Sequence, residues 1–210
     1  MWMRWVMVAG ALLLLCAAPT AALAVSESMV TVTLGSETPN GPFADIANSG
    51  VMAGLNGSYR VTRWLETGVD LAYFNSAGIR DGQSYVLLEP TTDDYVEVML
   101  AEKWTVTEFG LFARAFVFER GKLGSFLRAG AGTYTVRMTQ DVAAASATTT
   151  LGGNEQAGKF GFSAGLGARY RIGGGTSLGI EALFHHIFAK DTDVSFTTVG
   201  ATLGFGPGGK

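Results

Sequence analysis

His185 and His186 are the only two histidines of the 210-residue chain, and their type suggests metal binding or proton transfer. They lie in segment 176–188, whose alternation of apolar and other residues predicts a β-strand. Because adjacent strand residues point to opposite faces, the two rings cannot hold one metal ion from the same side. We therefore predict no metal ligand, cofactor or catalytic residue, and we expect His185 to be an interior or interfacial hydrogen-bonding residue.

Charged side chains recur on one face of the predicted strands, where they could form ion pairs. Arginines and carboxylates nearly balance there, as buried ions require, because an unpaired buried charge costs several kcal/mol. The predicted ion-pair network consists of Arg60, Glu66, Asp70, Glu108, Arg114, Arg128, Arg169, Arg171 and Glu181.

The elements that must position these residues are strands. The stretch FGFSAGLGARYRI, residues 160–172, has apolar residues at every even position and small or cationic ones at every odd position. A period of two predicts a strand with two different faces. Similar segments occupy 28–36, 51–61, 65–75, 105–118, 124–138, 158–172, 176–188 and 195–205. A tilted strand needs about 9–11 residues to cross a bilayer. Each of these segments is long enough, and only 28–36 is marginal.

The connections between the strands alternate strictly in length. Short ones are expected at 62–64, 119–123 and 173–175, and long ones at 37–50, 76–104, 139–157 and 189–194. This alternation is typical of an up-and-down meander with its short turns on one side of a membrane. Segment 76–104 contains two strand-like stretches and predicts a projecting hairpin. Segment 139–157 is low in complexity and predicts a mobile loop.

The first 24 residues predict a signal peptide that is cleaved after Ala24. Arg4 precedes an apolar run, and Ala22-Leu23-Ala24 is a small-x-small cleavage site. The only cysteine, Cys16, lies within this segment, so the mature chain would contain no disulfide. The formal charge of -3 gives no indication of a nucleic-acid partner.

Alternation alone does not decide which face points into a barrel. Glycines are concentrated on the polar face, for example Gly161, Gly165 and Gly167, and they would relieve crowding if that face pointed inward. Aromatic residues near both strand ends predict two interfacial girdles. The predicted girdles contain Tyr59, Trp64, Phe118, Phe126, Tyr170 and Phe205 at the short-turn end, and Tyr73, Trp104, Phe109, Tyr134, Phe160, Phe188 and Phe196 at the loop end.

Four large apolar residues break the alternation, because they fall on the polar face: Phe112, Phe116, Leu183 and Ile187. Either a β-bulge shifts the strand register, or the interior of the barrel is partly apolar.

The closing stretch supplies a more specific signal. Thr198, Gly200, Leu203 and Phe205 fit a polar-x-Gly-x-x-apolar-x-aromatic pattern that resembles the insertion signal on the last strand of bacterial outer-membrane barrels. With this stretch, the predicted signal peptide, the eight predicted strands and the alternation of short and long connections, the chain resembles the small OmpA/OmpX-type outer-membrane β-barrel family. The resemblance implies an all-β fold, an eight-stranded antiparallel up-and-down transmembrane β-barrel, over residues 25–205. A tail, 206–210, follows the aromatic residue on which that family usually ends.

The resemblance implies a location in the outer membrane of a Gram-negative bacterium and contact with outer-membrane lipids and the barrel-insertion machinery. It also implies a monomeric scaffold without enzymatic activity or cofactor, whose loops could bind a surface ligand. The polar interior could be a salt-bridged plug or a narrow ion-conducting pore, and the narrow cross-section favours the plug.

Two other functions remain open. Some outer-membrane barrels modify lipid A with a lipid-facing histidine, a serine and an acid, and His186 is placed at a suitable depth. However, no serine lies two residues away, and 187–189 do not match the His-x-Ser-Asn arrangement of such deacylases. A soluble periplasmic barrel would instead turn its apolar face inward to bind an apolar ligand.

Overall fold

The structure is a computed structural model that describes residues 28–79, 81–88, 95–144, 147–189 and 193–207. This part of the chain contains nine β-strands and one short 3-10 helix, Gly41–Asp45. The strands are β1 (Ser28–Asn40), β2 (Ala47–Arg60), β3 (Leu65–Gly78), β4 (Gln83–Leu88), β5 (Tyr95–Arg120), β6 (Leu123–Ala144), β7 (Ala147–Gly173), β8 (Thr176–Ile187) and β9 (Val194–Phe205). The predicted signal peptide, residues 1–24, and the end of the predicted tail lie outside the described residues.

Eight of these strands close into an antiparallel barrel. Each barrel strand pairs with its neighbour along the chain, β3 pairs with β5, and β1 pairs with β9 to close the sheet. Strand β4 pairs with the first part of β5 and forms no part of the barrel wall. The predicted eight-stranded up-and-down barrel is therefore confirmed. In the part of the chain that the structure describes, no helix has the length and apolar character needed to cross a bilayer.

Strands β5, β6 and β7 extend far beyond the barrel at the loop end. They contain 26, 22 and 27 residues, whereas β1, β2, β3, β8 and β9 contain 12 to 14. The hairpin predicted within 76–104 is confirmed by the pairing of Gln83–Leu88 with Tyr95–Leu100. The prediction of a loop at 139–157 is wrong, because β6 and β7 continue their pairing as far as Ala144 and Ala147. Backbone hydrogen bonding across these strands replaces the expected irregular segment.

The connection between β1 and β2 is shorter than the predicted loop 37–50. Strand β1 continues to Asn40 because it pairs with β9 along its whole loop end, and β2 begins at Ala47. The intervening 3-10 helix folds over the barrel opening and places Phe43 inside, with 1% of its surface exposed.

The apolar face of the barrel strands points outward and the polar face inward, as predicted for a membrane barrel. The outward, exposed side chains include Val30, Val32, Leu34, Val51, Leu55, Leu71, Leu111, Leu127, Leu166, Ile180 and Val199. A broad apolar outer band is the surface that hydrocarbon chains cover in transmembrane barrels. The alternative of a soluble barrel with an apolar cavity requires the opposite arrangement.

The four residues that break the alternation all lie inside, so the interior is partly apolar. A register irregularity between Phe116 and Phe118 keeps Phe116 inside while Phe118 faces outward. The girdle prediction is wrong for Phe126, Tyr134 and Phe196, which are buried inside the barrel. Alternation already places them on the inward face, because Phe126 and Tyr134 are an even number of residues from the buried Arg128, and Phe196 is two residues from the buried Thr198. The girdle prediction rested on closeness to the strand ends and did not take this facing into account. Trp104 is likewise part-buried and packs on Phe43. The other predicted girdle aromatics are exposed.

Two inward glycines make room for large rings. A Cβ at Gly167 would overlap the ring of Phe126, and one at Gly161 would approach a ring carbon of Tyr134 to 2.6 Å. Because real Cβ atoms do not approach so closely, these glycines allow the two aromatic side chains to fill the lumen.

Candidate functional site: the filled interior

The interior near the short turns is occupied by a network of buried ion pairs. Arg114 Nη1 donates to Glu66 Oε1 at 2.8 Å, and the two residues lie directly opposite each other on β5 and β3. Arg169 Nη1, which comes from β7, donates to Glu66 Oε2 at 3.0 Å. Glu66 thus uses both carboxylate oxygens to bind two arginines from different sides of the lumen.

A second group of pairs continues this network. Arg128 Nη1 donates to Glu181 Oε1 at 2.8 Å, and its Nη2 donates to Asp70. Arg114 Nη2 lies 3.5 Å from Glu181 Oε2, so Arg114 joins the two groups. All these side chains are more than nine-tenths buried. Pairing is required here, since an arginine or carboxylate buried without a partner is strongly destabilising.

Phenylalanine rings contact the guanidinium groups within the network. The guanidinium carbons of Arg114 and Arg128 each lie 4.5 Å from the ring centre of Phe112. Arg60 and Arg169 lie 4.5 and 4.7 Å from the ring centre of Phe116. Attraction between a cation and a ring face is strengthened where water is excluded. Two of the four residues that violate the alternation, Phe112 and Phe116, therefore belong to the arginine network.

Above this network, Tyr134 Oη donates to Glu108 Oε1 at 2.7 Å. His185 Nδ1 lies 3.5 Å from both Tyr134 Oη and Glu108 Oε2, and its Nε2 lies 3.3 Å from Thr198 Oγ1. The expectation that His185 is a hydrogen-bonding residue agrees with this placement. Glu108 was expected among the arginine partners, but it contacts Tyr134 and His185 instead.

The loop end of the interior contains an apolar cluster beside the buried Glu37, Ser76 and Glu102. In this cluster, the ring of Phe74 packs edge-on against that of Phe196, with centroids 4.8 Å apart. Phe43 of the 3-10 helix also belongs to the cluster. Its buried members are Phe43, Ala47, Met52, Phe74, Val106, Tyr134, Val136, Ile187, Val194 and Phe196. The lumen therefore has an arginine-rich layer near the short turns, and a cluster of apolar side chains with two buried carboxylates near the loops.

Two of the predicted network residues lie at the short-turn opening. Arg60 and Arg171 both donate to Glu119 Oε1, at 2.7 and 3.0 Å. The Arg171 side chain is 41% exposed, so it belongs to the rim of the barrel and not to its buried network. Glu119 is not among the predicted network residues, because it lies in the predicted turn 119–123. Alternation along β5 did not indicate its contact with arginines either. Glu119 is an even number of residues from the outward-facing Phe109 and Val117, and a register irregularity lies next to Val117.

The four residues of the predicted insertion signal lie on β9, the strand that closes the barrel against β1. Thr198 is buried inside, whereas Leu203 and Phe205 are on the outer face. Gly200 lies opposite Gly35 of β1. Within the described residues, no three His, Cys, Asp or Glu side chains form a group that could hold a metal ion.

Comparisons with known proteins agree with this architecture. A family model described as outer membrane protein beta-barrel domain matches residues 7–206. Among solved structures, Neisserial surface protein A is 13% identical, with a TM-score of 0.54 over 86% of this chain and 98% of that chain. The attachment invasion locus protein Ail of Yersinia pestis is 12% identical, with a TM-score of 0.47 over 86% and 99% of the two chains.

The N-terminal beta-barrel domain of Pseudomonas aeruginosa OprF is also 12% identical, with a TM-score of 0.44 over 86% of this chain and 100% of that chain. A search of curated proteins finds no match. At these identities, the similarity to Neisserial surface protein A shows a shared fold.

Proposed function

Because the chain belongs to the outer membrane protein beta-barrel family and lies in the outer membrane, we propose that it is a closed scaffold that presents its long strands outside the cell. The observation that carries this proposal is the filled interior. Near the short turns, Glu66 binds arginines from β5 and β7 across the lumen. Near the loops, the rings of Phe74 and Phe196 pack together. An eight-stranded barrel has an interior just wide enough for such side chains.

The ion-pair network near the short turns and the apolar cluster near the loops both disfavour a conducting pore. An ion that entered from the short-turn end would meet Arg114 and Arg128, whose Nη1 atoms are already bound to the carboxylates of Glu66 and Glu181. Beyond them it would have to pass the packed apolar cluster that includes Phe43, where apolar side chains cannot replace the water bound to an ion. The ion pairs are therefore proposed to act as a plug, with no role in conduction.

The extended strands supply the surface for an interaction. Strands β4 to β7 pair side by side beyond the barrel, so they form a sheet on the side of the long connections. Long connections lie outside the cell in barrels of this type, and short turns lie in the periplasm. In the described residues, β4 pairs only with β5, which leaves the other backbone edge of β4 available to an extended partner segment.

An epitope-insertion experiment tests the orientation. A short tag would be inserted between Leu88 and Tyr95, and a matched tag at the turn between Thr62 and Arg63. Antibody should label intact cells only for the first variant, and both variants should be labelled after permeabilisation. Labelling of the second variant on intact cells would contradict the proposed orientation.

Two functional measurements follow. Purified protein in planar bilayers should show no stable conductance steps, and steady open channels would overturn the plug.

Cells that express the wild type, or a variant in which residues 83–99 are replaced by a Gly-Ser turn, would be compared for binding to immobilised serum and matrix proteins. Equal binding would remove the β4–β5 hairpin as the interaction surface.

A further inference from the structure

A serine, a histidine and an aspartate meet on the outer face of the barrel. His186 Nδ1 lies 2.8 Å from Ser195 Oγ, and His186 Nε2 lies 3.6 Å from Asp193 Oδ2. His186 and Ser195 are directly opposite each other in the pairing of β8 with β9. Both side chains point away from the lumen, unlike His185 and Phe196 beside them.

This geometry suits an activated nucleophile. A neutral imidazole carries one N–H and one acceptor nitrogen. When Nε2 carries the proton, it faces the Asp193 carboxylate, and Nδ1 is then free to accept the proton of the Ser195 hydroxyl. A base that is in turn oriented by a third group is the arrangement that makes serine nucleophilic in many unrelated folds.

An amide lies on the other side of the serine. Asn40 of β1 is directly opposite Ser195 in the pairing of β1 with β9, and its Nδ2 donates to Thr197 Oγ1 at 2.8 Å. An amide nitrogen carries two hydrogens, of which Thr197 accepts one. The second hydrogen is a candidate donor to an oxyanion that forms beside Ser195.

The surroundings of the three residues indicate the kind of substrate. The His186 ring lies 4.7 Å from the ring of Phe188 and 5.4 Å from that of Phe162, centre to centre. Phe162, Phe188 and the neighbouring Phe160 are exposed on the outer face at the loop end. Exposed aromatics at this level occupy the boundary between headgroups and acyl chains in transmembrane barrels. The three residues thus face the region where ester bonds of lipids lie.

We propose that Ser195, His186 and Asp193 form a site that hydrolyses a carboxylic ester of an outer-leaflet lipid. Ser195 Oγ attacks the ester carbonyl carbon while its proton passes to His186 Nδ1. The carbon–oxygen bond to the lipid alcohol breaks, the alcohol takes that proton, and the acyl group remains on Ser195. Water from the interface then attacks the acyl carbon, gives a proton to His186, and releases the fatty acid as Ser195 recovers its proton.

This proposal revises the sequence-based expectation of no catalytic residue. The deacylase pattern places the serine two residues from the histidine on the same strand. The serine is instead nine residues away and is brought alongside by the β8–β9 hairpin. Such cross-strand placement depends on the register of the hairpin, which the sequence pattern alone did not fix.

The test uses full-length protein refolded into two kinds of vesicle, one of phosphatidylethanolamine and phosphatidylglycerol and one that also contains lipid A. Mass spectrometry would quantify released fatty acid and the shortened lipid. The wild type should release fatty acid, and the vesicle type and acyl chain would identify the phospholipid or lipid A as its source. Ser195→Ala should lower the rate by about 10³-fold or more.

Ser36→Ala is the matched control, since Ser36 is also an outward-facing serine, on β1. It should retain the wild-type rate, and unheated samples on SDS gels would check that each variant has folded. A fluorophosphonate probe should label the wild type and Ser36→Ala, but not Ser195→Ala or His186→Gln. Absence of both lipid hydrolysis and probe labelling in the folded wild type, or undiminished hydrolysis by Ser195→Ala, would overturn the proposal.

Discussion

Arg169 and Glu66 meet across the lumen, with Arg169 Nη1 3.0 Å from Glu66 Oε2, although their strands β7 and β3 are three steps apart around the barrel. Their positions are 103 residues apart in the sequence. The pair therefore connects two sides of the barrel wall that share no backbone hydrogen bonds. Because Glu66 also binds Arg114, one carboxylate holds together three strands.

The first prediction concerns this carboxylate. Glu66→Gln leaves Arg114 and Arg169 without their main anionic partner, so the free energy of unfolding should fall by about 3 kcal/mol or more. Urea titration of the refolded protein in detergent micelles, followed by tryptophan fluorescence, would measure the loss.

Glu119→Gln is the matched control for Glu66→Gln. Glu119 also binds two arginines, Arg60 and Arg171, but at the partly exposed rim. Water screens such pairs, and the expected change is below about 1 kcal/mol. Equal effects of the two substitutions would show that burial of the network does not determine its contribution.

The second prediction concerns the apolar cap. Phe43→Ala removes a fully buried ring that packs edge-on against Trp104, with centroids 5.5 Å apart. We expect a loss of about 3 kcal/mol, as is usual for deleting a buried phenylalanine. Phe109→Ala is the comparison, because Phe109 faces outward and is half exposed. Urea unfolding midpoints that fall equally for both would contradict the proposed role of Phe43 as a packed cap.

The third prediction tests the space inside the barrel. Gly167→Ala would place a methyl group against the ring of Phe126 and 2.7 Å from the carbonyl oxygen of Ile180, so the folded yield should fall sharply. Gly54→Ala, also inward, would meet its nearest neighbour at 3.6 Å, an ordinary contact. The fraction that migrates as folded on unheated SDS gels would measure the difference. A normal yield for Gly167→Ala would mean that the Phe126 side chain has room to move.

The fourth prediction concerns the closing strand. Phe205→Ala should reduce the amount of protein inserted into the outer membrane of cells, if Phe205 is the aromatic residue of the insertion signal. Phe184→Ala is the control, since Phe184 is also exposed on the outer face but lies on β8. Refolding of both variants in detergent should be similar. A parallel defect in detergent would assign the loss to stability, and not to recognition by the insertion machinery.

The sequence by itself determined the strand order and the facing of most residues. Alternation of the kind seen in 160–172 places every second residue on one face, and the many apolar outward positions need lipid around them. The nearly balanced charges on the polar face also predicted a paired interior. These conclusions need only the local geometry of a strand, which is the same wherever the strand lies.

Only the tertiary structure decided which inward residues meet. The contact of the Phe112 ring with both Arg114 and Arg128, and the folding of Phe43 into the opening, depend on contacts between different strands and a short helix. The pairing of His186 with Ser195 likewise depends on the hairpin register. A strand pattern fixes the face on which a side chain lies, but closure of the barrel fixes its neighbours, because closure sets the stagger between strands.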